Sequence, residues 1–291
     1  MAVLLAGVVI SPPAYWFCEW MISRGWLELL EGFPFHRYFS RTVQVAGIVL
    51  ILPLAFWLKI RSMGQLGIER NSRWKQDLGM GFAFAFVPMV LLAGALLVSE
   101  VYGMRGEPRW GMIPRAAISA TAVSFLEEFF FRGVILGLAV KSFGARGGIL
   151  FSAAIFAVVH FLKPAKIADD SPVTWTSGLE QLGMVFRDLP SPPLLLLGLL
   201  TLLAAGLLLA LTTWKTRSLW IAIGMHAGWI FPQQAFQAVA RFRIKPEDQL
   251  LPWIGPNVVS GAVPTGLIPL AVLLLSGFLI WLWIGKRKAA A

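Results

Sequence analysis

Apolar residues in this chain come in long runs, not in the alternating or one-faced patterns of a water-soluble fold. A membrane-crossing helix needs about 20 predominantly apolar residues. Eight such segments can be marked, at roughly 2–22, 42–58, 78–100, 115–140, 146–163, 193–213, 218–240 and 266–285. The pattern predicts an all-α, polytopic membrane bundle of about eight transmembrane helices, kinked in the first at Pro12-Pro13. Two connectors are amphipathic. Residues 25–35 set Trp26, Leu27, Leu29 and Leu30 among Glu28 and Glu31. Residues 177–189 set Leu179, Leu182, Val185, Phe186 and Leu189 against Glu180, Arg187 and Asp188. Such stretches lie in the headgroup plane or pack on the bundle. No internal repeat or low-complexity tract interrupts the chain, so a single integral-membrane domain over 1–291 is expected.

Composition strengthens that picture. Of 291 residues, 57% are apolar and 14% charged, and mean hydropathy is +0.73. An average soluble domain is about 45–50% apolar and about 25% charged. The contrast excludes a soluble globule, a disordered chain and a nucleic-acid-binding module. A net charge of +10 therefore reads as topology signal and contact with anionic lipid, not as a nucleic-acid interface. The basic residues divide evenly between the two sets of connectors, but the set that includes Lys286-Arg287-Lys288 lies in shorter loops. Short loops are where the positive-inside rule operates, which predicts a multi-pass protein with both termini cytoplasmic. The first segment lacks a basic leader and reads as a retained span. Cys18 is the only cysteine, which rules out an intrachain disulfide and suits a packed thiol.

The chemistry is in the polar residues that the apolar segments contain. An ionisable side chain at bilayer depth costs at least about 2.5–3.5 kcal/mol and marks function by default. The fourth segment carries Glu127, Glu128 and Arg132. Glu128 and Arg132 are four apart, so they share a face and can pair. Glu127 is turned about 100° away from Glu128, which leaves one carboxylate for structure and one for work. A buried ion pair that only fixes packing explains Glu128 and Arg132 but not Glu127. His160 ends the fifth segment and His226 sits in the seventh. A Glu and a His together can hold a water and take its proton, and a second His can donate to the oxyanion formed when that water attacks a carbonyl. Two His and one Glu are also a zinc ligand set, although the helix pattern His-Glu-x-x-His is absent. Ser124, one turn before Glu127, suits local hydrogen bonding. No residue is assigned to a cofactor. A non-catalytic membrane scaffold or immunity protein and a proton-coupled transporter are the remaining function classes.

Glu127-Glu128-x-x-x-Arg132, then Phe156-x-x-x-His160, then His226 in a later segment resemble the Abi, or CAAX protease and bacteriocin-processing, family, whose relatives include the type II CaaX prenyl endopeptidases. The resemblance covers about residues 110–240. It implies a glutamic-type intramembrane endopeptidase of about eight helices in a bacterial plasma membrane, acting on a peptide or protein substrate without a metal. By similarity, Glu127 and His160 activate the water, Glu128 supports the site with Arg132 holding the helix through ion pairing, and His226 contributes to the oxyanion hole. One position departs from the family pattern. The usual Asn four residues after His226 is Ile230, which cannot donate. Gln233 lies about 10 Å along the axis, too far on an unbroken helix. The indole N–H of Trp229, or a water, is expected to fill that role.

Overall fold

The computed structural model describes residues 2–57, 59–66, 68–162, 172–184, 190–247, 249–257 and 264–289. In chain order the helices are α1 (Ala2–Ile22), α2 (Phe35–Trp57), α3 (Trp74–Val98), α4 (Met112–Glu128), α5 (Leu136–Val159), α6 (Ser177–Met184), α7 (Pro192–Thr216), α8 (Trp220–Val239) and α9 (Leu267–Ala289). A π-helical segment, Phe129–Ile135, joins α4 to α5 without a break. Two three-residue strands, β1 (Tyr102–Met104) and β2 (Ala240–Phe242), pair antiparallel and add a small ribbon to the all-α expectation.

Among the described residues, five stretches are long and apolar enough to cross a membrane: Val3–Ile22, Trp74–Val98, Met112–Val159, Pro192–Thr216 and Leu267–Lys286. The expected count of about eight spans is thus not carried over. The segments at 115–140 and 146–163 fall in one 48-residue apolar stretch, but Gly144, at φ 70° and ψ 175°, breaks it into two helices, so the boundary expected between the segments is present. The segments at 42–58 and 218–240 are helical, as α2 and α8, without being among the five. His226, Gln233, Gln234 and Gln237 lower the hydropathy of α8. α1 runs unbroken through Pro12 and Pro13.

The chain forms two compact units. The first comprises Met1–Arg61 and Phe161–Leu189. Here α1 packs on α2 and α6, and the Trp16 indole donates to the Val173 carbonyl at 3.2 Å and meets Trp175 edge-on. Of the two amphipathic connectors, 25–35 holds a 3-10 turn at Glu28–Leu30 and 177–184 is α6, while 185–189 lie outside the described residues.

The second unit comprises Ser62–His160 and Pro190–Ala291 and holds all the candidate site residues. α8 is its axis, packed most extensively on α3 and then on α4, while α7 packs on α5 and α9. Small residues allow the α3–α8 approach. A Cβ on Gly228 would come within 2.6 Å of the Phe82 carbonyl oxygen, and one on Gly81 would meet the Ile221 carbonyl. The interior is largely apolar, but it also holds Glu128, Arg132, His226 and Gln233, while Leu91, Val98, Ile118 and Leu196 are exposed. An apolar perimeter with charged and polar groups kept inside is what hydrocarbon as solvent selects, and the protein is an integral membrane protein.

Candidate active site

Glu127 and Glu128 end α4, the last two residues before the helix widens into the π turn. Their side chains diverge as the helix geometry demands. Glu128 is fully buried, while Glu127 is 28% exposed. Glu128 uses a single oxygen, Oε1, for two partners. Arg132 Nη1 donates to it at 3.0 Å and His226 Nδ1 at 2.8 Å. A carboxylate only accepts, so the His226 proton sits on Nδ1.

Arg132 is held on three further sides. Its Nη2 donates to the Gly206 carbonyl of α7 at 3.4 Å. Its guanidinium lies 4.2 Å from the centroid of the Phe156 ring and 5.7 Å from that of Phe131, within reach of the ring quadrupoles. The α7 approach depends on Gly206, where a Cβ would come within 2.9 Å of Ala153 Cα. Ser152 of α5 donates to the Phe131 carbonyl at 3.1 Å and ties the π turn to the returning helix.

His160 caps the C-terminal end of α5. Its Nδ1 lies 2.6 Å from the Phe156 carbonyl oxygen one turn earlier. A carbonyl cannot donate, so Nδ1 carries the proton and, in the neutral ring, Nε2 presents its lone pair. That nitrogen faces Glu127 Oε2 at 3.5 Å. His226 Nε2 faces the same oxygen at 3.9 Å. Glu127 Oε2 is buried and makes no hydrogen bond among the described residues. Three helices therefore converge on one carboxylate oxygen. Phe156 is the hub behind them, with ring centroids 4.3 Å from His160 and 5.8 Å from His226.

The five main residues read from the sequence, Glu127, Glu128, Arg132, His160 and His226, are brought together. Trp229 is not brought to that group by any contact. Its indole N–H donates to Ser276 Oγ of α9 at 3.4 Å, in a buried setting, which corrects the expectation that it faces the site as a donor. Ser124 differs too. Its hydroxyl is buried and makes no hydrogen bond among the described residues, so the expected local bond is absent. Ile230 is buried. Among the described residues no three His, Cys, Asp or Glu side chains are arranged to hold a metal ion. Three contributors had not been identified from sequence: the Gly206 carbonyl, Phe156 as the central ring, and the π turn. Only Phe156, at the fourth position before His160, left any trace in the pattern.

Residues 109–231 match the family model described as Type II CAAX prenyl endopeptidase Rce1-like. The stretch runs from just before α4 to the middle of α8 and includes every member of the Glu/His/Arg group. The resemblance read from the motifs therefore holds there, and it supports a membrane endopeptidase of the CAAX-protease type. No curated protein and no solved structure matches the chain.

Proposed function

We propose that this chain is an intramembrane endopeptidase that hydrolyses a peptide bond with a water activated by Glu127 and His160. The observation that carries the reading is the pairing of two acceptors. Glu127 Oε2 and the His160 Nε2 lone pair face each other at 3.5 Å. Two acceptors repel when bare, and a water about 2.8 Å from each can donate one O–H to each. That orientation turns its remaining lone pairs outward, toward a substrate carbonyl.

Glu127 takes the proton as the water oxygen bonds to the carbonyl carbon, giving a tetrahedral oxyanion. The C–N bond then breaks and Glu127 returns the proton to the leaving amine. His226 serves as an oxyanion donor through Nε2. Because its Nδ1–H is committed to Glu128, that role needs a second proton on the ring. Glu128 and Arg132 are positioning residues that fix the orientation of the His226 imidazole. We read the membrane as a bacterial plasma membrane, with the Lys286 end of α9 on the cytoplasmic side.

The test is cleavage of a quenched fluorescent peptide by the purified protein in proteoliposomes. Removing a positioned general base costs typically 10²–10⁴-fold, so Glu127→Ala and His160→Ala are expected to lose at least about 100-fold. Retention of cellular function by both variants identifies a non-catalytic scaffold. Loss of the wild-type rate on treatment with a zinc chelator identifies a metal mechanism.

A further inference from the structure

We propose that the β1–β2 ribbon is a clasp for the phosphate of an anionic lipid headgroup. The ribbon joins the ends of membrane helices. β1 follows α3 after three residues and precedes α4, and β2 continues directly from α8. It therefore lies just beyond the ends of two membrane-spanning stretches, at headgroup depth. The two strands sort their side chains by face. Tyr102 pairs with Phe242, Gly103 with Arg241 and Met104 with Ala240. The ladder extends a residue each way, with Arg105 N–H donating to the Val239 carbonyl at 2.8 Å and Arg243 N–H to the Val101 carbonyl at 2.9 Å.

Side chains opposite each other in an antiparallel pair share a face, and neighbours along a strand alternate. One face therefore carries Tyr102, which packs at 5.0 Å on Phe236 of α8 and 5.2 Å from Phe242. The other carries Arg105, Arg241 and Arg243 around Gly103. A Cβ at Gly103 would strike the Arg243 side chain, so the glycine lets that arginine lie across the ribbon.

Arg105 and Arg241 line a cavity of about 460 Å³ together with Gly106, Glu107, Pro108 and Arg109. Arg105 donates from Nε to the Gln237 carbonyl at 3.0 Å, which turns the end of its fork free. None of Arg105, Arg109, Arg241 and Arg243 is ion-paired among the described residues, and Glu107 is the only carboxylate in the lining. Unpaired like charges held this close repel, and an anion relieves the repulsion. Guanidinium forks match phosphate bidentately. Exposed Trp110 and Met112 flank the cavity on the α4 side, where interfacial aromatics meet the upper acyl chain. A lipid satisfies both features, and a free phosphate only the first.

The ribbon is remote from the peptidase chemistry. His226 lies thirteen residues before the end of α8, about 20 Å along the axis. The test titrates full-length protein in neutral detergent with phosphatidylglycerol, phosphatidylcholine or inorganic phosphate at matched ionic strength, and follows the thermal midpoint. Phosphatidylglycerol alone is expected to raise it. In Arg109→Gln/Arg241→Gln the half-saturating phosphatidylglycerol concentration is expected to rise roughly 10-fold or more, the scale of one or two charge-assisted hydrogen bonds. Arg109→Lys/Arg241→Lys keeps the charges and is expected to recover most of that loss. No response in the wild type, or the same response in wild type and glutamine variant, overturns the proposal. So does an equal response to inorganic phosphate, which makes the ligand free phosphate, and so does no recovery by the lysine variant, which makes the loss a damaged ribbon. Peptide cleavage in neutral detergent is expected to be unchanged in both variants, so the lipid clasp and the peptidase reading fail separately.

Discussion

Glu127 and Glu128 are adjacent in sequence and chemically identical, yet their surroundings demand opposite consequences when each loses its charge. Glu128 is fully buried, and its Oε1 serves both Arg132 and His226. Glu128→Gln leaves a buried guanidinium without its counter-charge. Breaking a buried pair by removing one partner costs about 3–5 kcal/mol, roughly two to three and a half decades in the unfolding equilibrium. Glu127 is 28% exposed, its closest charged-type contact is 3.5 Å away, and Oε2 makes no hydrogen bond. Glu127→Gln removes no hydrogen bond made within the described residues, so it should destabilise clearly less than Glu128→Gln. Its amide cannot accept the proton of the attacking water, so turnover should fall by at least about 100-fold. Unfolding by SDS in mixed micelles, followed by circular dichroism, gives the first quantity, and the peptide assay gives the second. The reasoning is refuted if Glu127→Gln destabilises as much as Glu128→Gln, or if Glu127→Gln retains turnover.

Other outcomes follow from single contacts. Trp229→Phe removes a 3.4 Å hydrogen bond to Ser276; stability should fall by about 0.5–1.5 kcal/mol with the cleavage rate unchanged, and a large rate loss would return Trp229 to the site. Gly81→Ala drives a Cβ into the Ile221 carbonyl of α8, whereas Gly79 on the same helix has nothing within 4 Å. Gly81→Ala should cost about 1–3 kcal/mol, and Gly79→Ala should gain about 0.5–1 kcal/mol from helix propensity. Equal effects in SDS unfolding would contradict the crossing. Burial pushes the Tyr102 phenol up to about 12 from about 10 in the unfolded chain. A raised acid binds its proton more tightly when folded, so stability is full below pH 10 and falls as pH rises from 10 through 12. Tyr102→Phe should flatten that alkaline slope.

Much of the site was legible because helical geometry converts spacing into direction. The 100° step between Glu127 and Glu128 foretold carboxylates that point to different neighbours, and the four-residue step to Arg132 foretold the pair. Two histidines stranded in apolar segments pointed to a shared polar interior, and they meet at Glu127 Oε2. What stayed hidden depends on contacts between segments distant in the chain. The partner of Trp229 lies on α9, forty-seven residues away, and no local signal marks which face of α8 meets it. Arg132 finds a main-chain carbonyl at Gly206, which side-chain patterns cannot announce. Strands of three residues are too short for an alternation to stand out, so the ribbon and its arginine face were read as ordinary loops. The boundary between 115–140 and 146–163 was legible as separate apolar segments, and the structure puts it at Gly144.

The π turn sets an angular phase. A regular α-helix through Phe129–Ile135 would spend fewer residues on the same rise, and each residue removed rotates everything downstream by about 100°. The carboxylates sit before the wide turn, and Gly133 and Gly137, which approach Met63 and the Leu66 main chain, sit within and after it. Two neighbourhoods that want different faces of one rod are thereby served by a single continuous helix. Deleting one phenylalanine from the run 129–131 would leave the composition almost untouched. It would nonetheless swing the second half of the rod away from its partners, which makes residue count, here, as consequential as residue identity.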